Sequence, residues 1–119
     1  MDSVDELIEA LNAAMGGELT FERDVLDIDR PEDWGAVEMT GVRNEWADGK
    51  IIDQCVLIDI WAGVSDRGSE WLSRIEAVLS GFGDRLSYRL HERAWLHDVR
   101  KVCWRWKGEL WSTARTEEG

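Results

Sequence analysis

Proline, cysteine and histidine are nearly missing from this chain of 119 residues, with one, two and two copies, and phenylalanine and tyrosine add only three residues between them. The two cysteines, Cys55 and Cys103, lie 48 positions apart and belong to no CxxC or Cys/His cluster. They read as reduced core thiols in a reducing compartment, not as a disulfide. Positive charge is also scarce: 14 Lys and Arg stand against 25 Asp and Glu, a net charge of −11. That excess argues against gripping a nucleic acid over a broad face, and an anionic leaflet would be repelled in the same way. No stretch approaches the ~20 apolar residues of a membrane span. The longest apolar-rich run, from Cys55 to Ala62, is interrupted by Asp59, and the acidic start MDSVDELIEA lacks a secretory pattern.

Signatures of catalysis are equally sparse. An enzyme of this size should show a nucleophile beside a base, a metal cluster or a phosphate loop. His91 and His97 have no Cys or carboxylate at metal-ligand spacing, beyond neighbours that a strand would point the opposite way. The acids Asp24, Asp27, Asp29, Glu32 and Asp33 lack the central glycine and terminal glutamate of a calcium loop. Gly16-Gly17 and the pair Gly81, Gly83 stand where helices should stop, outside any phosphate-loop context. Asp53 and Asp59, six apart on one strand, are too distant to share a proton and fit a sheet rim or an interface better. The expectation is a protein that is not an enzyme and has no cofactor and no metal ligand.

Tryptophan is the residue the chain has in excess. Eight are present, and such side chains bury ~150–250 Å² each in cores and interfaces. A domain of this length has room for about half of them inside. The others fall at its surface.

The apolar pattern divides the chain into seven elements. Val4, Leu7, Ile8, Leu11 and Met15 form a helical stripe over 2–15, with Ser3 and Glu6 as a capping box. Residues 18–25 alternate as a strand with one wet face, and the acidic stretch 27–33 around Pro31 is a loop. Trp34 to Val42 is β-compatible, and Asp48-Gly49 marks a tight turn before the strand Ile51 to Ala62. That strand carries apolar residues on both faces, so it should be central. Ser65 or Asp66 caps a second helix with a stripe of Trp71, Leu72, Ile75, Val78, Leu79 and Phe82. Two strands, Leu86 to Trp95 and Val99 to Trp111, close the domain around a turn at His97-Asp98. The fold class is α+β, a mostly antiparallel sheet of about five strands with two helices on one face. Residues 1–111 form the domain, and the polar segment 112–119 is a flexible tail.

Charge is unevenly distributed along this order. Residues 1–33 hold eleven acids and two bases (−9), residues 34–84 nine and four (−5), residues 85–107 two and seven (+5), and the remainder −2. The basic block alternates as Arg89 and Arg93 on one strand and Lys101, Arg105 and Lys107 on the next. Like charges on one sheet face cost free energy unless acids meet them. The acids could come from the strand at 18–24 of the same subunit or from the acidic surface of the next subunit. Nucleic acid, helped by the aromatics, is a third candidate.

The stretch Gln54-Cys55-Val56-Leu57-Ile58-Asp59-Ile60-Trp61-Ala62, followed by the helix from Trp71 to Leu79 and two closing strands, resembles the tail-terminator proteins of long-tailed phages and their head–tail joining relatives. The resemblance covers roughly residues 2–111. It implies six copies in a ring at the head-proximal end of the tail tube, within the virion, ending tube polymerisation and joining tail to neck. Its partners would be copies of itself, the tube protein and the neck or connector proteins. DNA would pass through the acidic lumen without being bound specifically, and no membrane is involved. The hairpin from Val42 to Ile51 would be the arm reaching a neighbour, with Trp46, Asp48 and Lys50 at its tip. The remaining interface candidates are Arg89, Arg93, Trp95, Lys101, Arg105 and Trp111. The tryptophan load departs from the family pattern. The alternative is a small acidic binding module, an adaptor or inhibitor, acting as a monomer or dimer.

Overall fold

The computed structural model describes residues 2–65 and 68–111. The elements run α1 (Ser3–Met15), β1 (Phe21–Arg23), β2 (Trp34–Ala47), β3 (Lys50–Val64), α2 (Gly68–Ser80), a single 3-10 turn at Gly83–Arg85, β4 (Leu86–Leu96) and β5 (Lys101–Trp111). The expected Asp66 cap and the tail at 112–119 lie outside the described residues.

The strands form one sheet in the order β1-β2-β3-β5-β4. The three long pairings are antiparallel, and β1 pairs with β2 in parallel. The architecture is the α+β sheet with helices on one face that the periodicity predicts, and β3 is interior as its two apolar faces require.

The helix-side core forms because two helical stripes meet alternate residues of the interior strands. Leu7, Leu11 and Met15 of α1 and Trp71, Ile75 and Leu79 of α2 are buried against Ile58, Ile60 and Ala62 of β3 and Trp104, Trp106 and Leu110 of β5. Side chains on the other face of the sheet alternate with these. That face carries a smaller apolar cluster of Trp34, Ala36 and Cys103, with Trp61 and Leu96 packed on it.

Local chemistry shifts several boundaries. The cap of α1 is Asp2, one residue before the expected Ser3: its carboxylate accepts the Asp5 amide at 2.9 Å. Glu6 is thereby left to pair with Arg85 at 2.9 Å, tying α1 to the entry of β4. Gly16 and Gly17 take left-handed φ values of 60° and 86° and end the helix as predicted. β1 is three residues, shorter than the alternation over 18–25 predicts. Asn12 of α1 holds its start by accepting the Phe21 amide at 2.6 Å. Asp24 ends it by turning left-handed (φ 57°) and accepting the Met39 amide on its carboxylate at 2.8 Å. The loop 24–33 then returns across the face that lacks helices, as a parallel β1–β2 pair demands. There Arg30 lies over Trp34 at 6.0 Å and Asp33 stands 3.7 Å from Lys101.

Asp48 and Gly49, with φ of 52° and 76°, make the two-residue primed turn joining β2 and β3. At the other end of β3, a Cβ on Gly63 would collide with the Trp34 ring, so the bare backbone there is what lets Trp34 lie flat on the sheet. β5 starts at Lys101, later than the expected Val99, because Arg100 is left-handed (φ 51°) and belongs to the turn.

Candidate assembly surface

The nine sequence-predicted interface residues do not form one patch. Trp46, Asp48 and Lys50 lie at the tip of the β2–β3 hairpin, and all three are exposed, Trp46 by 62%. Cys55 is the last β3 residue with a described β5 partner, Trp111. Beyond it β2 and β3 run on as a two-stranded ribbon. Val42 and Trp46 are four apart on β2 and so share a face, and register places Ile51 opposite Trp46. Val42 is 53% and Ile51 49% exposed. Because Val42 stands across from Val56, which packs against the helix-side core, this apolar strip lies on the helix side of the sheet.

Trp95 occupies the opposite pole. It is 43% exposed, and its indole N–H donates to Nδ1 of His97 at 3.0 Å. Its partner across β5 is Val102, which also faces the helices.

The basic strip is not the continuous cationic face that alternation predicts. A bulge between Leu90 and Glu92 inserts His91 and flips the register of β4. Arg89 stays opposite Lys107, whereas Arg93 comes to lie opposite Trp104 and stacks over its ring at 5.0 Å. Arg89 and Arg93 therefore point to different faces, which corrects the expected pairing of the two.

Lys101 and Arg105 are also withdrawn from any interface. Lys101 is 1% exposed, next to Asp33. Burial holds its pKa below the ordinary amine value, with the Asp33 carboxylate opposing that shift. Arg105 donates to Asp59 at 2.5 Å, lies 4.0 Å from Glu92 and covers the Trp61 ring at 4.6 Å. Its pKa is raised, chiefly by the hydrogen bond to Asp59. Asp59 is thus a buried partner in mid-sheet, 2% exposed, and not the rim or interface charge expected. Trp111 is half-buried, with Arg43 over its ring at 5.7 Å, and Arg43 in turn makes a two-pronged contact with Glu109 at 2.6 and 3.1 Å.

None of these acids comes from the 18–24 strand, where Glu18 pairs with Arg74, Glu22 with Arg30 and Asp24 with Arg23. Within the strip, Lys101 is met by Asp33 and Arg105 by Asp59 and Glu92, the two aspartates coming from distant segments of the sequence. Pairing across sheet register decided this, and no short-range pattern signals it. Among the described residues, Arg89 and Lys107 keep no carboxylate within ion-pair distance, and they edge a shallow depression of about 340 Å³ with Leu57 and Thr40.

Both cysteines are free and buried. Desolvation pushes the Cys103 thiol from 9.0 up to about 11 and raises that of Cys55 as well. An unfolded chain therefore releases the Cys103 proton at lower pH than the native one does. Native stability from this group is intact below pH ~9 and lost as pH rises toward ~11, by roughly 2–3 kcal/mol. Urea unfolding of the parent and of Cys103→Ala at about pH 8.5 and pH 10.5 should show the parent's advantage shrinking at the higher pH.

The chain matches no protein-family model and no curated protein sequence.

Proposed function

We propose that this chain is a structural assembly protein resembling a phage tail terminator, joining copies of itself into a ring at the head-proximal end of a tail tube. The observation that carries this reading is the β2–β3 ribbon, which runs past the sheet and holds Trp46 and Ile51 in solvent on one face, with the exposed Val42 at its base on the same face. A two-stranded ribbon that holds two large apolar residues in water gains nothing for folding from their exposure. It has a binding reason, since tryptophan is enriched at interface hot spots. In this reading the tube protein and the neck proteins meet the two rims of the ring. The acidic surface, repeated by symmetry, lets DNA pass without adhering.

Assembly rests on the ribbon and not on the acidic front end meeting the basic strip of the next subunit, because Lys101 and Arg105 of that strip find their acids within the chain. That same internal balance favours the second reading, a small acidic adaptor or inhibitor that inserts the ribbon into a different protein and stays a monomer or dimer.

Light scattering over a range of protein concentrations separates the two. A mass that climbs to a closed multiple supports the ring, and one fixed at one or two subunits supports the adaptor. Trp46→Ala should leave the melting temperature within about 3 °C of the parent, as an exposed substitution does, and lower the assembled mass. A large loss of melting temperature with assembly intact would count against the ribbon as an arm.

A further inference from the structure

We infer that the receiving surface for the β2–β3 ribbon is the edge of β4 around Trp95, on a second copy of the same chain. This rests on the assembly reading above and adds the partner site.

Three observations lead to it. Trp95 and Leu90, exposed by 43% and 42%, stand on the helix side of the sheet with Arg93 between them, on an edge strand whose outer side has no described partner. Trp95 and the ribbon's Trp46 lie at opposite poles. Trp46 stands across from Ile51, and Trp95 is in line with Val102 and Val64, thirteen residues farther along β3. At about 3.3 Å per residue that is roughly 40 Å. A ribbon on one molecule cannot reach its own Trp95, so the contact joins two copies through different surfaces. Such a head-to-tail contact closes into a ring when the rotation permits.

Charge also matches. Each pole carries exposed charges of both signs, Glu45, Asp48 and Lys50 on the ribbon and Arg93, Arg100 and Asp98 on the receiving pole, so opposite charges can pair across the contact. None of the six has an ion-pair partner among the described residues.

The test uses Trp46→Asp and Trp95→Asp in the full chain, each first checked for the parent's circular dichroism spectrum and melting temperature. Sedimentation velocity then follows assembly. Either variant alone should associate at least tenfold more weakly than the parent. Mixed in equal amounts they should form two-chain complexes and stop there. The intact ribbon of the Trp95→Asp chain meets the intact edge of the Trp46→Asp chain, while the other two surfaces are spoiled. Assembly of Trp95→Asp like the parent, with Trp46→Asp defective, would overturn this receiving site and leave the ribbon's role standing. Two defective variants whose mixture yields no pair would also overturn it. A parent chain that remains monomeric at every concentration would remove both the site and the ring.

Discussion

Trp106→Ala should be among the most damaging single changes to this domain, lowering the free energy of unfolding by ~3–5 kcal/mol. Trp106 is fully buried in β5, beneath both helices and opposite Ile60. Its removal leaves a cavity that neighbours held by two helices and two strands cannot close. A second cost adds to the first. The indole N–H donates to Glu76 of α2 at 2.9 Å, and the Tyr88 hydroxyl donates to the other oxygen of the same carboxylate at 2.8 Å. This half-buried carboxylate is held from two strands, so it fixes how α2 sits over β4 and β5. Trp106→Phe separates the two costs: it fills most of the volume but cannot donate, and should lose only ~1–2 kcal/mol. Urea melts monitored by far-ultraviolet dichroism suffice for the measurement. A Trp106→Ala loss below about 1 kcal/mol would mean that the core does not depend on this ring.

Trp106 was legible in the sequence, and the reasons show what a single sequence can reveal. Its inward orientation follows from alternation with Cys103, Arg105 and Lys107, which requires only that the segment be a strand. The stripes of α1 and α2, the Gly16-Gly17 stop and the Asp48-Gly49 turn were readable for the same reason, since each is a local pattern with a local cause.

What could not be read depends on register. The bulge at His91 carries no residue signature, yet it moves Arg93 from the Arg89 face to the Trp104 face and so dissolves the expected cationic strip. The parallel pairing of β1 depends on where the loop 24–33 travels. That path is set by Arg30 meeting Trp34 and Asp33 approaching Lys101, contacts between segments up to 68 positions apart. The candidate surface divides in the same way. The exposure of Trp46 was expected only through the family resemblance, since nothing in its own local pattern distinguishes it from the buried tryptophans. Whether Lys101, Arg105 and Trp111 were available to a partner could be decided only by the neighbours that cover them.

Arg105 gives this distinction its sharpest consequence. If its role were to face another subunit, Arg105→Met would weaken assembly and leave the fold alone. The geometry requires the reverse. Asp59 is 2% exposed in the middle of β3, one of its oxygens is held by Arg105 at 2.5 Å, and its other oxygen has no partner. Removing the guanidinium strands a charge in a site with little water, which costs ~3–5 kcal/mol in comparable buried pairs. The Trp61 ring also loses the cation that covers it. Because the penalty comes from the orphaned charge, removing that charge as well should recover most of it: Arg105→Met with Asp59→Leu should come within about 1–2 kcal/mol of the parent. Paired urea melts of the parent, the single variant and the double variant provide the measurement. A double variant as unstable as the single one would show that Arg105 stabilises the sheet by packing on Trp61 and not by neutralising Asp59.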